Sequence, residues 1–138
     1  MLYKNILLSL NGDENEKTVV DEALRVAKEL NSKIKIFHVN DPSAGKMSMM
    51  MNSMPRVDAE DIVKLFEKFG YADEVKQMEI QIFESEHYAR EIVKETVEAD
   101  LLVMGHHPKN SVLAIFKDST DERVADQIMC PMLVVPIK

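Results

Sequence analysis

The sequence predicts a single doubly wound α/β domain, in which helices cover both faces of a parallel sheet. Apolar runs of strand length alternate with segments of helical periodicity along all 138 residues. The connections between successive strands are long enough for the right-handed crossovers that parallel pairing requires. Because this length suits one ordinary domain, we treat residues 1–138 as one unit.

The N-terminal part of the chain contains two predicted strands and the helix between them. The first strand lies within residues 3–10, which end in an almost continuous apolar run, and the second strand is Ile34–Val39. Asp13 and Glu16 have the spacing of a capping box, so a helix is predicted to begin there. That helix is predicted to end at Asn31.

A long irregular stretch, 41–57, follows the second strand. It holds five of the ten methionines, namely Met47, Met49, Met50, Met51 and Met54. Thioether side chains are typical of adaptable apolar surfaces, and they also bind soft metal ions such as Cu(I). The composition therefore leaves three interpretations open: a weakly packed loop, a lid or partner surface, and a copper site.

Alternating elements continue to the end of the chain. Asp58 is predicted to cap a helix that ends at Gly70, and Ser85 is predicted to cap the next one. The other predicted elements are the strands Met78–Phe83, Leu101–Met104 and Met132–Ile137, with a helix at about residues 119–129 between the last two.

The charge and cysteine content restrict the class of protein. A net charge of −7, with a pI of about 5.1, disfavours non-specific nucleic-acid binding, which needs Lys and Arg to neutralise phosphates. The single Cys130 cannot form an internal disulfide, and no apolar run approaches the length that spans a bilayer. We therefore expect a cytoplasmic protein without a membrane segment.

In a doubly wound sheet, ligands bind beyond the carboxyl ends of the strands, where the strand order reverses. In this chain those ends are predicted to carry 11–13, 38–40, 84–87 and 105–108. The segments include glycine turns and polar side chains, which suit the binding of an anion or a nucleotide.

The same segments resemble the universal stress protein family. Leu10–Asp13 stands where that family often has Val-Asp-Gly-Ser, and Ala99–Gly105 is close to its Ala-Asp-Leu-Ile-Val-Met-Gly. Cys130–Val135 is similar to its last strand. The resemblance covers essentially the whole chain except 41–57. It implies a five-stranded sheet in the order 3-2-1-4-5, a role linked to stress, and a homodimer through Met132–Ile137.

The predicted last strand also favours a homodimer on physical grounds. Residues 132–135 are all apolar and are expected at an edge of the sheet, where unpaired backbone groups invite a second copy of the chain. Pro136 suits an edge position, because its missing N–H leaves no partner unsatisfied within the sheet.

The glycine motif of the nucleotide-binding family members is altered here. Those members carry Gly-x-x-Gly, then nine residues, Gly, and Ser or Thr. This chain keeps Gly105 and Ser119 but has Pro108 and Asp118 at the other two glycine positions. Asn11 replaces the acidic residue that those members have after the first strand. Proline donates no N–H and aspartate repels phosphate, so we expect weak or no ATP binding. We expect no enzymatic activity, because the chain lacks a Gly-x-Ser-x-Gly elbow and Ser119 more naturally caps the last helix.

One alternative is a universal stress protein that binds ATP with Mg²⁺, or AMP, with slow or no hydrolysis. In it, Asn11 and Val39 would flank the base and ribose, and the 105–119 loop would hold the phosphates. The candidate contact residues are Asn11, Val39, Met104, Gly105, Pro108 and Ser119.

A second alternative is a metal or small-ligand sensor at what we call the histidine rim. The rim consists of four histidines that are predicted at or just beyond strand ends, namely His38, His87, His106 and His107. Imidazoles gathered at one edge of a sheet are suited to zinc. We expect no resident metal, however, because His106 and His107 are adjacent and should point apart.

Overall fold

The computed structural model describes residues 3–44, 55–106 and 128–137. The five strands in these ranges are β1 (Asn5–Ser9), β2 (Lys33–Asn40), β3 (Glu79–Glu84), β4 (Leu101–His106) and β5 (Met132–Pro136). All neighbours pair in parallel, in the order β3-β2-β1-β4-β5. The predicted doubly wound α/β fold and its strand order are therefore confirmed.

The helices of the described ranges connect these strands. They are α1 (Lys17–Leu30), α2 (Ala59–Phe69), α3 (Ala72–Val75) and α4 (Tyr88–Thr96), with a 3₁₀ turn at Glu14–Glu16 that leads into α1. Among these described helices, none combines the length and apolar character needed to cross a membrane.

Two faces of the sheet carry separate apolar clusters, because successive side chains of a strand point to opposite sides. On one face, Ile6 and Leu8 of β1 pack with residues of α1 and α2. On the other face, Leu7 packs with Phe37 of β2 and Ile92 of α4. The sheet is thus covered on both sides, which explains the continuous apolar run in β1.

Several helix ends lie where the sequence predicts them. The Asp58 side chain accepts a hydrogen bond from Asp61 N at 3.0 Å, and the Asp61 side chain accepts one from Asp58 N at 3.0 Å. Asn31 and Gly70 end α1 and α2 in the left-handed conformation, with φ of 55° and 94°. Local capping chemistry therefore fixes these boundaries.

Two details differ from the sequence prediction. Ser85 does not cap α4, because its hydroxyl accepts a hydrogen bond from His87 N at 3.0 Å and closes a tight turn before the helix begins at Tyr88. The four-residue α3 is too short to produce a visible period in the sequence, and it was not predicted.

Some predicted features lie outside the described residues. These are the methionine cluster, the loop that contains Pro108, Asp118 and Ser119, and most of the helix predicted at about residues 119–129.

Candidate functional site

The candidate site lies at the carboxyl ends of β1 and β4. The chain turns from β1 to β2 on one side and later places β4 on the other side, so the strand order reverses between β1 and β4. Ser9 and Met104 are paired at this end of the two strands. Open α/β sheets bind ligands beyond the carboxyl ends of the strands where the strand order reverses in this way.

A buried carboxylate occupies the turn that leaves β1. Glu16 is only 2% exposed. Its carboxylate accepts hydrogen bonds from Asn11 N at 2.9 Å, Gly12 N at 2.8 Å and Asp13 N at 2.9 Å. Gly12 has φ of 89°, a conformation that favours glycine and helps these amides to converge. Three successive backbone amides of the turn therefore bind the Glu16 carboxylate, as such a turn could bind the anion of a ligand.

Opposing effects act on the Glu16 carboxyl group. Burial raises its pKa above the ordinary value, while the amides of Asn11, Gly12 and Asp13 lower it and the charge of Asp13 raises it further. Burial is the largest of these effects. The carboxylate is therefore a desolvated negative charge that depends on its backbone donors.

A hydroxyl pair links α4 to the end of β1. Ser9 Oγ and Tyr88 OH lie 2.6 Å apart, and either can donate. Burial raises the pKa of Tyr88 to about 12, with a further increase from the charge of Glu16, although the bond to Ser9 opposes the shift. Tyr88 therefore stays a neutral phenol and fixes the start of α4 against the strand.

The described members of the predicted contact set lie at the expected strand ends. Asn11 is exposed, whereas Val39 and Met104 are 9% and 3% exposed and belong to the apolar cluster beneath α4. Their positions along the chain are as the sequence predicts, and their contact with a ligand stays a prediction. Pro108 and Ser119 lie outside the described residues.

Gly105 has a packing role at this site. A Cβ at this position would lie 2.6 Å from Ile137 Cδ1 and 2.8 Å from Val19 Cγ2. Atoms that close would clash, so the missing side chain lets α1 and the residue after β5 approach β4.

A chain of hydrogen bonds through His38 and Asn40 lies on the β2 side of the site. His38 Nδ1 is 2.7 Å from Leu10 O, and His38 Nε2 is 3.0 Å from Asn40 Oδ1. The Asn40 amide also pairs with the backbone of Val57, accepting from its N–H at 3.0 Å and donating to its carbonyl at 2.6 Å. His38 and Asn40 are 7% and 2% exposed.

Comparison with known proteins identifies the family. The model of the universal stress protein family matches residues 2–136. The chain belongs to the universal stress protein family. The chain is 28% identical to universal stress protein MJ0531 of Methanocaldococcus jannaschii, an alignment that covers 97% of this chain and 82% of that protein.

Solved structures of this family share the fold. One is a universal stress protein in complex with cAMP, which is 18% identical with a TM-score of 0.64 and full coverage of both chains. Another is a universal stress protein family member from Burkholderia pseudomallei, which is 21% identical with a TM-score of 0.56. That alignment covers 97% of this chain and 96% of the other.

The predicted histidine rim differs from the structure at His38. His38 is buried and bonded to Leu10 and Asn40, so it is a core residue and not a member of an exposed rim. His87 precedes α4, His106 ends β4, and His107 lies outside the described ranges. Over those ranges, no three His, Cys, Asp or Glu side chains are grouped closely enough to hold a metal ion.

Sequence reasoning missed the main polar contacts of the site. The capping-box spacing identifies Glu16, yet it does not reveal a buried carboxylate with several amide donors. Nothing in the sequence signals the Ser9–Tyr88 pair, because the two residues are far apart along the chain. The pattern of residues 38–40 places His38 at a strand end but does not show which way its ring points.

Proposed function

We propose that this chain is a cytoplasmic binding or regulatory module of the stress response, that it binds ATP weakly or not at all, and that it is not an enzyme. It needs no resident cofactor in this role. Membership of the universal stress protein family supports the stress-linked role.

The position of Glu16 carries the proposal for weak ATP binding. Its carboxylate already takes the amide donors of Asn11, Gly12 and Asp13, at the edge of the sheet where a ligand would bind. A phosphate group at the same edge of the sheet would face a negative charge in place of free N–H groups. At about 4 Å, two like charges repel by about 4 kcal/mol at an effective dielectric of 20.

Altered residues elsewhere in the motif support the same proposal. Pro108 supplies no backbone donor, and Asp118 adds a second carboxylate to the loop expected to hold the phosphates. Asn11 carries no charge where nucleotide-binding members have an acidic residue.

Calorimetric titration with ATP and Mg²⁺ tests the proposal. We expect little or no heat of binding at ligand concentrations up to the millimolar range. Micromolar affinity would overturn the proposal and would favour the nucleotide-binding alternative.

A second candidate function is the binding of an adenine nucleotide that carries a single phosphate. The fold likeness to a universal stress protein in complex with cAMP is the observation that favours it. In this chain, Asn11 and Val39 would flank the base and ribose, while Gly105 and Ser119 would contact the phosphate. Parallel titrations with AMP and cAMP would distinguish this function, because binding of either without ATP binding would point to a smaller ligand.

Restoring both motif glycines should improve ATP binding. For the double substitution Pro108→Gly and Asp118→Gly, we expect at least a tenfold gain in affinity, which corresponds to about 1.4 kcal/mol. One substitution restores a backbone donor and the other removes a repelling charge. Calorimetry against wild type measures the gain. Asp73→Gly is the charge control, since its side chain is 94% exposed on α3, and an equal gain there would contradict the argument.

We also propose that the protein forms a homodimer through Met132–Ile137. β5 is an edge strand of the sheet, and Val134 is 44% exposed there. An apolar edge strand that pairs with its own copy about a two-fold axis satisfies backbone groups and covers the exposed side chains.

Val134→Lys should therefore shift the protein from dimer to monomer. A charge at the centre of the proposed interface would be desolvated and would face its own copy. Sedimentation velocity measures the change, with Val97→Lys as the control because Val97 is 65% exposed at the end of α4. A wild-type monomer, or a Val134→Lys dimer as tight as wild type, would contradict the proposed interface.

A further inference from the structure

Three side chains at the carboxyl ends of β2, β1 and β4 form the floor of the candidate site beneath α4. Val39 of β2 and Met104 of β4 belong to the apolar cluster on this face of the sheet. Ser9 of β1, the strand between them, lies two residues after Leu7 of the same cluster and therefore points to the same face. The exposed fractions of Ser9, Val39 and Met104 are 3%, 9% and 3%, so the folded chain covers the floor.

The side chain of Tyr88, the first residue of α4, lies over this floor. Its hydroxyl oxygen is 2.6 Å from Ser9 Oγ, and the side chain packs against the cluster that contains Val39 and Met104. Burial raises the pKa of Tyr88 to about 12 and the charge of Glu16 adds to the shift, so the phenol is a desolvated group near that carboxylate. The floor is thus covered by a planar aromatic ring whose polar tip is anchored on β1.

The floor has the composition of a surface that binds a planar base. Ligand sites are mostly apolar and carry a few polar groups that fix the orientation of the ligand. Here two apolar side chains flank one hydroxyl, and Val39 is a candidate contact of the base. Tyr88 supplies the same chemistry as a base, namely an aromatic face with a hydrogen-bonding edge. It therefore occupies the volume that a purine would need.

The turn after β1 shows a matching arrangement at the anion end of the site. The amides of Asn11, Gly12 and Asp13 bind the Glu16 carboxylate at 2.9, 2.8 and 2.9 Å, whereas a bound nucleotide would present a phosphate to such amides. The chain therefore places its own carboxylate and its own aromatic ring, that of Tyr88, where the phosphate and the base of a nucleotide would bind.

We propose that Tyr88 is a specificity-determining residue that fills the base subsite of this chain and excludes a purine from the floor. Ser9 is the positioning residue, because its hydroxyl holds the phenol in place. This role rests on the proposed function and deepens it, since Glu16 and the altered motif account for weak binding of the phosphates and Tyr88 accounts for weak binding of the base.

Titration of wild type and Tyr88→Ala with adenosine, followed by NMR chemical shifts, tests this role. Removal of the ring opens a cavity over Val39 and Met104, and apolar cavities of this kind bind aromatic molecules. We expect adenosine to bind Tyr88→Ala at least about tenfold more tightly than wild type, with the largest shift changes at Val39 and Met104. Equal affinities for the two proteins, or binding to Tyr88→Ala away from the floor, would overturn the proposal.

Two variants and one small molecule serve as controls. Tyr88→Phe keeps the ring over the floor and should bind adenosine no more tightly than wild type. Tyr71→Ala removes a tyrosine that packs on the opposite face of the sheet, so it should also match wild type. A gain in either variant equal to that of Tyr88→Ala would contradict the role of the ring. The molecule p-cresol reproduces the deleted side chain, and its binding to Tyr88→Ala without binding of adenosine would show a cavity that is not a base subsite, which would overturn the proposal.

Tyr88→Leu covers the case in which Tyr88→Ala does not fold, because leucine keeps part of the apolar packing and leaves the outer volume of the ring empty. We expect a smaller gain in adenosine affinity in the same direction, and the absence of any gain would overturn the proposal. Adenosine carries no phosphate, so the result does not depend on the glycine motif. Micromolar binding of ATP to wild type would instead contradict the proposed function, and the adenosine titrations would still decide whether Tyr88 fills the base subsite.

Discussion

The Glu16→Leu variant is expected to lose about 3 to 5 kcal/mol in its free energy of unfolding, because removal of the carboxylate leaves the amides of Asn11, Gly12 and Asp13 without their acceptor. Glu16 is 2% exposed, so water cannot replace the lost oxygens freely. Glu16→Gln keeps one acceptor oxygen and should lose less, about 1 to 2 kcal/mol. Urea denaturation of the variants measures both losses.

Glu14 provides the matched control for this prediction. It lies on the same 3₁₀ turn but has a side chain that is 71% exposed, with a surface ion pair to Lys68. Glu14→Gln should change the unfolding free energy by less than about 0.5 kcal/mol. Equal losses for Glu14→Gln and Glu16→Leu would show that the amide contacts are not what stabilises the turn.

The pH dependence of the same carboxyl group has a definite sign. Because burial raises the pKa of Glu16, the folded chain binds this proton more tightly than the unfolded chain does. Its contribution to stability is complete below the ordinary pKa of a glutamate and is lost as the pH rises through the folded value. The wild-type unfolding free energy, taken relative to that of Glu16→Gln, should therefore fall as the pH rises from the ordinary pKa of a glutamate through the pKa of Glu16 in the folded chain.

Phe37→Ala should cost about 3 to 5 kcal/mol of unfolding free energy, the range for deleting a large buried aromatic side chain. Phe37 is 0% exposed and lies 5.2 Å from Phe83, centroid to centroid, beneath α4. Its loss leaves a cavity between the sheet and that helix. Thermal or chemical denaturation measures the loss of stability.

Phe69→Ala is the comparison for Phe37→Ala. Phe69 is only half-buried at the end of α2, so its removal opens less internal space and should cost clearly less. If both substitutions cost the same, the cluster beneath α4 is not packed as the structure indicates.

Much of the fold follows from patterns that act over a few residues. Apolar runs in β1 and β4 predict strands buried on both faces, and Asp58 and Gly70 predict the ends of α2, because capping depends on neighbouring residues. The strand order could not be derived from such local patterns. It came from the family resemblance, since many orders are compatible with the same alternation of strands and helices.

The polar contacts of the site were beyond sequence reasoning for a different reason. Tyr88 meets Ser9 across 79 positions of sequence, and Val57 meets Asn40 across 17. Such contacts depend on how the helices and strands pack against each other in three dimensions. Even a local contact is ambiguous from sequence, because a serine such as Ser85 can accept a hydrogen bond from more than one nearby N–H. Residue type and spacing therefore predict where a candidate site lies, but not which side chains form hydrogen bonds with one another within it.

The close packing around Gly105 affects what the glycine motif of this family indicates. Ile137 and Val19 meet over this position, so a side chain there would force both neighbours to shift. A glycine would thus be retained here by architecture alone, in a protein that had given up every ligand. Its presence is no diagnostic of nucleotide affinity, and the informative positions are those where no neighbour forbids a larger residue.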